Sequence, residues 1–164
     1  MAKCAIALGS NLGNSLNTVE NALKELANIP GIDLIVTSGW YQTSPVGPPQ
    51  PDYINGCVVL EIEQKPEELL TILQAIELQF GRVRKEKWVA RTLDLDILLY
   101  DDLVIDTPKL TIPHPHMIKR AFVLVPLAEI APNWIEPVSK KAIAQLVKEV
   151  DCTGVRLLNQ HDIS

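Results

Sequence analysis

The sequence predicts an α+β fold, a sheet with helices packed on it, and three observations carry the prediction. Short apolar runs with strand-like alternation recur along the chain, helical stripes stand between them, and several strands follow one another as hairpin-like neighbours rather than through βαβ crossovers. At 164 residues and 47% hydrophobic composition the chain can bury one good core, so residues 1–164 are expected to form a single domain.

Residues 3–8 are an apolar run stopped by Gly9 and Ser10, which reads as a buried strand and a tight turn. Ser15 suits a helix cap, and Val19, Leu23, Leu26 and Ala27 keep helical spacing until Pro30 and Gly31 end the helix. Residues 32–43, rich in Ile, Val, Thr, Trp and Tyr, read as one strand. Four prolines among residues 44–51 make a stiff loop, either an ordinary crossover or a wall for a ligand. A strand follows over 53–62. Pro66 then opens a helix with Glu67 and Glu68 at its positive end, and Leu69, Leu73, Ile76 and Phe80 as its stripe. Gln74 and Glu77 fall beside that stripe, where residue type alone makes them solvated polar positions. Further strands are expected over 92–100, 103–105 and 155–158, with helices near 122–130 and 139–150.

Composition narrows function. The net charge of -5 lacks the cationic excess of a nucleic-acid binder, and the N-terminal apolar stretch is too short to span a bilayer. Neither nucleic acid nor membrane is expected as a partner. Cys4, Cys57 and Cys152 have no metal-type spacing, which suits a reducing cytoplasm. No apolar heptad or long edge strand is evident, so the chain is expected to be a monomer.

The chemistry gathers in residues 82–100. In TLDLDILLY, Leu93, Leu95, Ile97 and Leu99 alternate with Asp94, Asp96 and Leu98, so the two carboxylates share one face of a strand. Their backbones stand roughly 6.6 Å apart, a spacing that lets them share one hard cation or hold two. Arg82, Arg84, Lys85, Lys87 and Arg91 place five cations in the ten residues 82–91, just ahead of the pair, unusual in an acidic chain. Cations, carboxylates and magnesium together complement a polyphosphate, and the basic segment could close over it as a lid. GSNLGN lacks the lysine of a P-loop and the third glycine of a dinucleotide fingerprint. Residues alone reach a magnesium-assisted reaction on a nucleotide polyphosphate; a two-metal phosphohydrolase or nucleotidyltransferase would use the same carboxylates, and a silent nucleotide sensor would not need them.

Read in order, ALGSNLGN, YQTSPVGPPQPDYIN, ELQFGRVR, RTLDLDILLY and LTIPHPHM followed by KRAF closely resemble the 6-hydroxymethyl-7,8-dihydropterin pyrophosphokinase family, nearly end to end. The resemblance implies a three-layer sandwich related to the ferredoxin-like fold, mainly antiparallel, with helices on both faces. It implies pyrophosphoryl transfer from ATP to the pterin hydroxymethyl group, with AMP leaving, as a step of folate biosynthesis. Asp94 and Asp96 match the ligands of two magnesium ions, and with Arg82 and Arg91 they form the expected catalytic set. Tyr53 and Phe122 match the aromatic pair around the pterin, Asn55 the amide that reads its polar edge, and Thr43 and Val46 the backbone groups that complete recognition. Gln74, Glu77, Arg84, Trp88, Ile97, Lys109, Thr111, His114 and Arg120 match positions around the nucleotide. Lys109 keeps a charge without the bidentate geometry of arginine, and Pro115 stands where many relatives have tyrosine.

Overall fold

The computed structural model of the protein describes residues 1–11, 15–43, 52–80 and 93–158. In chain order its elements are β1 (Ala2–Ser10), α1 (Ser15–Ala27), β2 (Ile32–Thr37), β3 (Tyr41–Thr43), β4 (Tyr53–Ile62), α2 (Pro66–Gln79), β5 (Asp94–Tyr100), β6 (Ile105–Asp106), β7 (Thr111–Ile112), α3 (Ala121–Ile130), β8 (Ile135–Glu136), β9 (Lys141–Ala142), α4 (Ile143–Lys148) and β10 (Val155–Leu157). Six strands make one antiparallel sheet in the order β10-β3-β4-β1-β5, with β2 also on β4; β6–β7 and β8–β9 are separate hairpins.

Helices cover both faces, because alternate residues of the central strands point to opposite sides. Ile6, Leu8, Leu60, Leu95 and Ile97 pack with Val19, Ala22 and Leu26 of α1 and Leu69, Leu73 and Ile76 of α2. Ala5, Cys57, Val59, Leu98 and Leu99 pack with Val123, Leu124 and Leu127 of α3 and Ile143 and Leu146 of α4. This is the expected α+β sandwich. Among the described residues no helix is long and apolar enough to cross a membrane.

Several expected elements take a different form. The run 32–43 is two strands, because at Ser38 the side-chain hydroxyl stands in for a main-chain acceptor opposite β4, while the Ser38 N–H still donates to the Cys57 carbonyl at 2.9 Å. The Ser38 hydroxyl accepts the Cys57 N–H at 2.9 Å and donates to the Gly39 carbonyl at 2.7 Å. The Gly39 N–H then turns to Glu129 of α3 at 3.1 Å, and the Tyr41 hydroxyl donates to the same carboxylate at 2.6 Å. The expected strand 103–105 is a two-residue hairpin arm at 105–106. The expected helix 139–150 begins only at Ile143, after a hairpin whose turn is held by Glu136, which accepts the N–H groups of Val138 (2.7 Å) and Ser139 (2.8 Å). The stripe of α1 is Val19, Ala22 and Leu26; Leu23 is only half-buried and Ala27 is exposed. Finally, β2 is a six-residue edge strand that exposes Leu34, Ile35 and Val36, contrary to the expectation that no long edge strand is present.

The alternation in β5 also breaks once. Ile6 pairs with Ile97 but Ala5 pairs with Leu99, so Leu98 is the extra residue of a β-bulge. Leu98 and Leu99 consequently both join the α3 side of the core.

Candidate active site

The site grows from the middle of the sheet. On β1, Gly9 pairs with Asn55 on one side and Asp94 on the other, while Ala7 pairs with Cys57 and Asp96. Paired residues share a face, so Asn55, Gly9 and Asp94 form one row and Cys57, Ala7 and Asp96 the next. This is the face that α3 covers, and α3 begins just beside these rows. The result is a cavity of about 380 Å³ whose lining includes Tyr53, Asn55, Asp94, Asp96, Arg120 and Phe122.

Small residues make the space. Ala7 and Gly9 stand where the other face of the same strand carries Ile6 and Leu8. A Cβ on Gly9 would lie 2.7 Å from the Asn55 Oδ1, so only glycine lets that amide lie across β1. The Asn55 side chain is 9% exposed, and its Nδ2 is buried without a hydrogen-bond partner. The Thr43 hydroxyl, on the strand beside Tyr53, is in the same condition. Buried donors left unmade are costly, which marks both as groups suited to a ligand's polar edge. Sequence reasoning overlooked Ala7 and Gly9 as site residues; the signal for them was the period-two run of small side chains Ala5, Ala7 and Gly9.

The start of α3 supplies the far wall. Arg120 is its N-cap residue, with extended backbone, and its guanidinium carbon lies 5.6 Å from the centre of the Phe122 ring, a cation–π distance. Pro126 inside α3 has no N–H to bond the Phe122 carbonyl in the helical manner. His114 is placed by the bulge in β5, whose Leu98 carbonyl accepts the His114 N–H at 3.1 Å. Its Nδ1 accepts the His116 N–H at 3.2 Å, so a neutral His114 carries its proton on Nε2. Burial holds the imidazole below its ordinary value; the nearby Asp96 charge opposes that shift, and Arg120 and His116 add to it.

The other predicted residues are distributed around this cavity. Ile97 is 5% exposed on the opposite face, packed in the α1–α2 core, so only its main chain could face a nucleotide. Gln74 and Lys109 are exposed, and Thr111 is half-buried on β7. Glu77 corrects the expectation of a solvated helix position. It is 4% exposed, and its Oε2 accepts the Leu95 N–H at 2.9 Å. Val46, Arg82, Arg84, Trp88 and Arg91, with the proline-rich loop and the basic lid, lie outside the described residues.

Among the described residues no three or more His, Cys, Asp or Glu side chains gather as a metal cage. Asp94 and Asp96 offer two carboxylates on one face and leave the remaining positions to phosphate oxygens or water. A hard cation that keeps several such ligands, as magnesium does, fits that donor set.

Comparison with known proteins bears on the family and the fold. Residues 5–132 match the family described as 7,8-dihydro-6-hydroxymethylpterin-pyrophosphokinase (HPPK). A 2-amino-4-hydroxy-6-hydroxymethyldihydropteridine pyrophosphokinase of Synechocystis sp. is 54% identical over 150 residues, covering 92% of this chain and 77% of that protein. The protein of the same name in Haemophilus influenzae is 46% identical, over 91% of this chain and 93% of its own. The Plasmodium falciparum HPPK-DHPS structure with pteroate superposes on 90% of this chain with a TM-score of 0.74 at 15% identity, a likeness of fold. This chain spans 42% of that longer protein. With the family match covering well over half of its residues, the chain belongs to the 7,8-dihydro-6-hydroxymethylpterin-pyrophosphokinase family.

Proposed function

We propose that this chain transfers the pyrophosphoryl group of ATP to the hydroxymethyl group of 6-hydroxymethyl-7,8-dihydropterin, giving the pterin diphosphate and AMP in folate biosynthesis, with magnesium held by Asp94 and Asp96. The observation that carries the reading is one cavity in which the unpaired Nδ2 of Asn55 and the rings of Tyr53 and Phe122 share walls with both aspartates. Asn55 and Asp94 sit on the two strands flanking Gly9, two strand spacings apart, which is about 9.5 Å at the backbone. A flat bicyclic ring reaching from one towards the other brings its substituent to the carboxylates.

In this reading Tyr53 and Phe122 hold the ring by its faces, and the Asn55 amide and Thr43 read its edge, fixing which end points at Asp94. Arg120 supplies fixed positive charge beside Phe122 and opposite the acidic pair. His114 offers an Nε2 hydrogen as a donor near Asp96. Arg82 and Arg91 are read as closing on the transferred phosphates, and Gln74, Arg84, Trp88, Lys109 and Thr111 as lying about the nucleotide. When bound, magnesium would neutralise phosphate charge and orient the attacked phosphorus. Most of the rate then comes from positioning two substrates in line and from charge placed in advance. Two ions, a cytoplasmic setting and a monomeric state belong to the same reading; the free thiols of Cys4 and Cys57 suit a reducing compartment.

The test is AMP release from ATP and magnesium with and without 6-hydroxymethyl-7,8-dihydropterin. AMP formed only with the pterin is the expected result. ADP, or turnover indifferent to pterin, would overturn the proposal in favour of a phosphohydrolase or nucleotidyltransferase.

A further inference from the structure

The outer strand of the sheet poses a problem at the metal-binding pair. β5 pairs with β1 on one side and, among the described residues, with no strand on the other. In an antiparallel ladder alternate residues turn both their N–H and C=O towards the partner, so an edge strand leaves every second N–H facing outward. Leu95 is such a residue, and it stands between Asp94 and Asp96. Its outward N–H does not meet water. It meets the carboxylate of Glu77, a side chain that leaves α2 beside the core residues Leu73 and Ile76 and is itself almost completely buried.

We infer that Glu77 is a positioning residue for the metal site: its carboxylate takes the place of a missing neighbouring strand at Leu95 and so fixes the backbone from which Asp94 and Asp96 enter the cavity. The inference rests on the reading of that pair as magnesium ligands. It gives Glu77 a task distinct from touching the nucleotide, since the bonded oxygen is committed to a main-chain group whose side chain points to the other face of the sheet. A rigid acceptor is what the position needs. A surface residue or water would satisfy the N–H without holding the strand, whereas a carboxylate anchored on a core-packed helix ties β5 to α2 at the point where the two ligands diverge.

The experiment uses manganese as the probe, titrated by electron paramagnetic resonance into the whole chain with a non-hydrolysable ATP analogue, together with amide exchange at Leu95 by NMR. Glu77→Ala is expected to weaken manganese binding by about tenfold or more, the scale seen when the support of a ligand is removed. The Leu95 amide should exchange faster in the same variant. Glu77→Gln, which keeps an acceptor but not the charge, should recover both readouts to within about fivefold of the wild type. Glu77→Leu keeps the volume and removes the acceptor, and decides the matter if the alanine variant does not fold. Manganese bound equally well by wild type and Glu77→Leu would overturn the inference. So would loss of metal-free analogue binding with manganese affinity intact, which would make Glu77 a nucleotide contact. Failure of the wild type to bind manganese at all would instead overturn the assignment of Asp94 and Asp96, and the inference with it.

Discussion

The two faces of the central sheet are made by the same strands and do opposite things. On the α1–α2 side β1 contributes Cys4, Ile6 and Leu8, and everything around them is closed core. On the α3–α4 side the same strand contributes Ala5, Ala7 and Gly9. There the core is complete only at one end, over Ala5 and Val59, and opens into a cavity at the other, over Ala7 and Gly9. The difference lies in side-chain volume at every second residue. It teaches that this site is a core that was left unfilled in two rows and then lined with Asn55, Asp94 and Asp96.

The comparison can be broken most sharply at the acidic row. Asp96→Ala should lower pterin-dependent AMP release by about 10³-fold or more while leaving the melting temperature nearly unmoved, because the side chain serves charge placement and not packing. An unchanged rate would return Asp96 to an ordinary wet strand position. On the closed face the pattern should invert. Leu60→Ala, at a fully buried site in the α1–α2 core, should cost about 3 kcal/mol in urea unfolding and leave the Michaelis constants of the folded fraction as they were. At the recognition end, Asn55→Leu should raise the pterin KM by about 10²-fold with little effect on ATP, since a site built to hydrogen-bond is left with apolar surface. Gly9→Ala sharpens the volume argument. Its Cβ would press the Asn55 oxygen, and pterin affinity should fall by roughly tenfold for the addition of one methyl group.

The smallest effect is one of pH. Burial, helped by the charge of Asp101, pushes the Cys4 thiol up to about 12 from 9.0. The unfolded chain loses that proton near pH 9 while the folded chain keeps it, so stability falls as pH rises from 9 towards 12. Burial pushes the Cys57 thiol up in the same sense, so stability should be lower at pH 10 than at pH 8, and Cys4→Ala should remove about 1 kcal/mol of that difference.

Much of this was legible in the sequence, for identifiable reasons. The strand 53–62 and the helix opening at Pro66 appear over the residues where they are expected, the helix with its proline in the first turn. The shared face of Asp94 and Asp96 followed from strand alternation alone. What could not be read depends on partners distant in sequence. The break at Ser38 is stabilised by Cys57 and Glu129, and nothing local in the run 32–43 announces it. Glu77 resembles any polar residue beside a helix stripe until β5, eighteen residues on, brings Leu95 to it. The Leu98 bulge is likewise invisible in a run of leucines, yet it sets the backbone position of His114. The roles expected of Tyr53, Asn55 and Phe122 come from resemblance, not from any spacing; the structure adds that all three line the cavity of the acidic pair.

The most direct test of the divided cavity is equilibrium binding of 6-hydroxymethyl-7,8-dihydropterin, without nucleotide, to the Asp94→Ala/Asp96→Ala double variant. Recognition at Tyr53, Asn55 and Phe122 predicts a Kd within about threefold of the wild type, although the variant no longer releases AMP. Pterin binding lost together with turnover would contradict the account, because the acidic rows would then be part of the pterin's own seat.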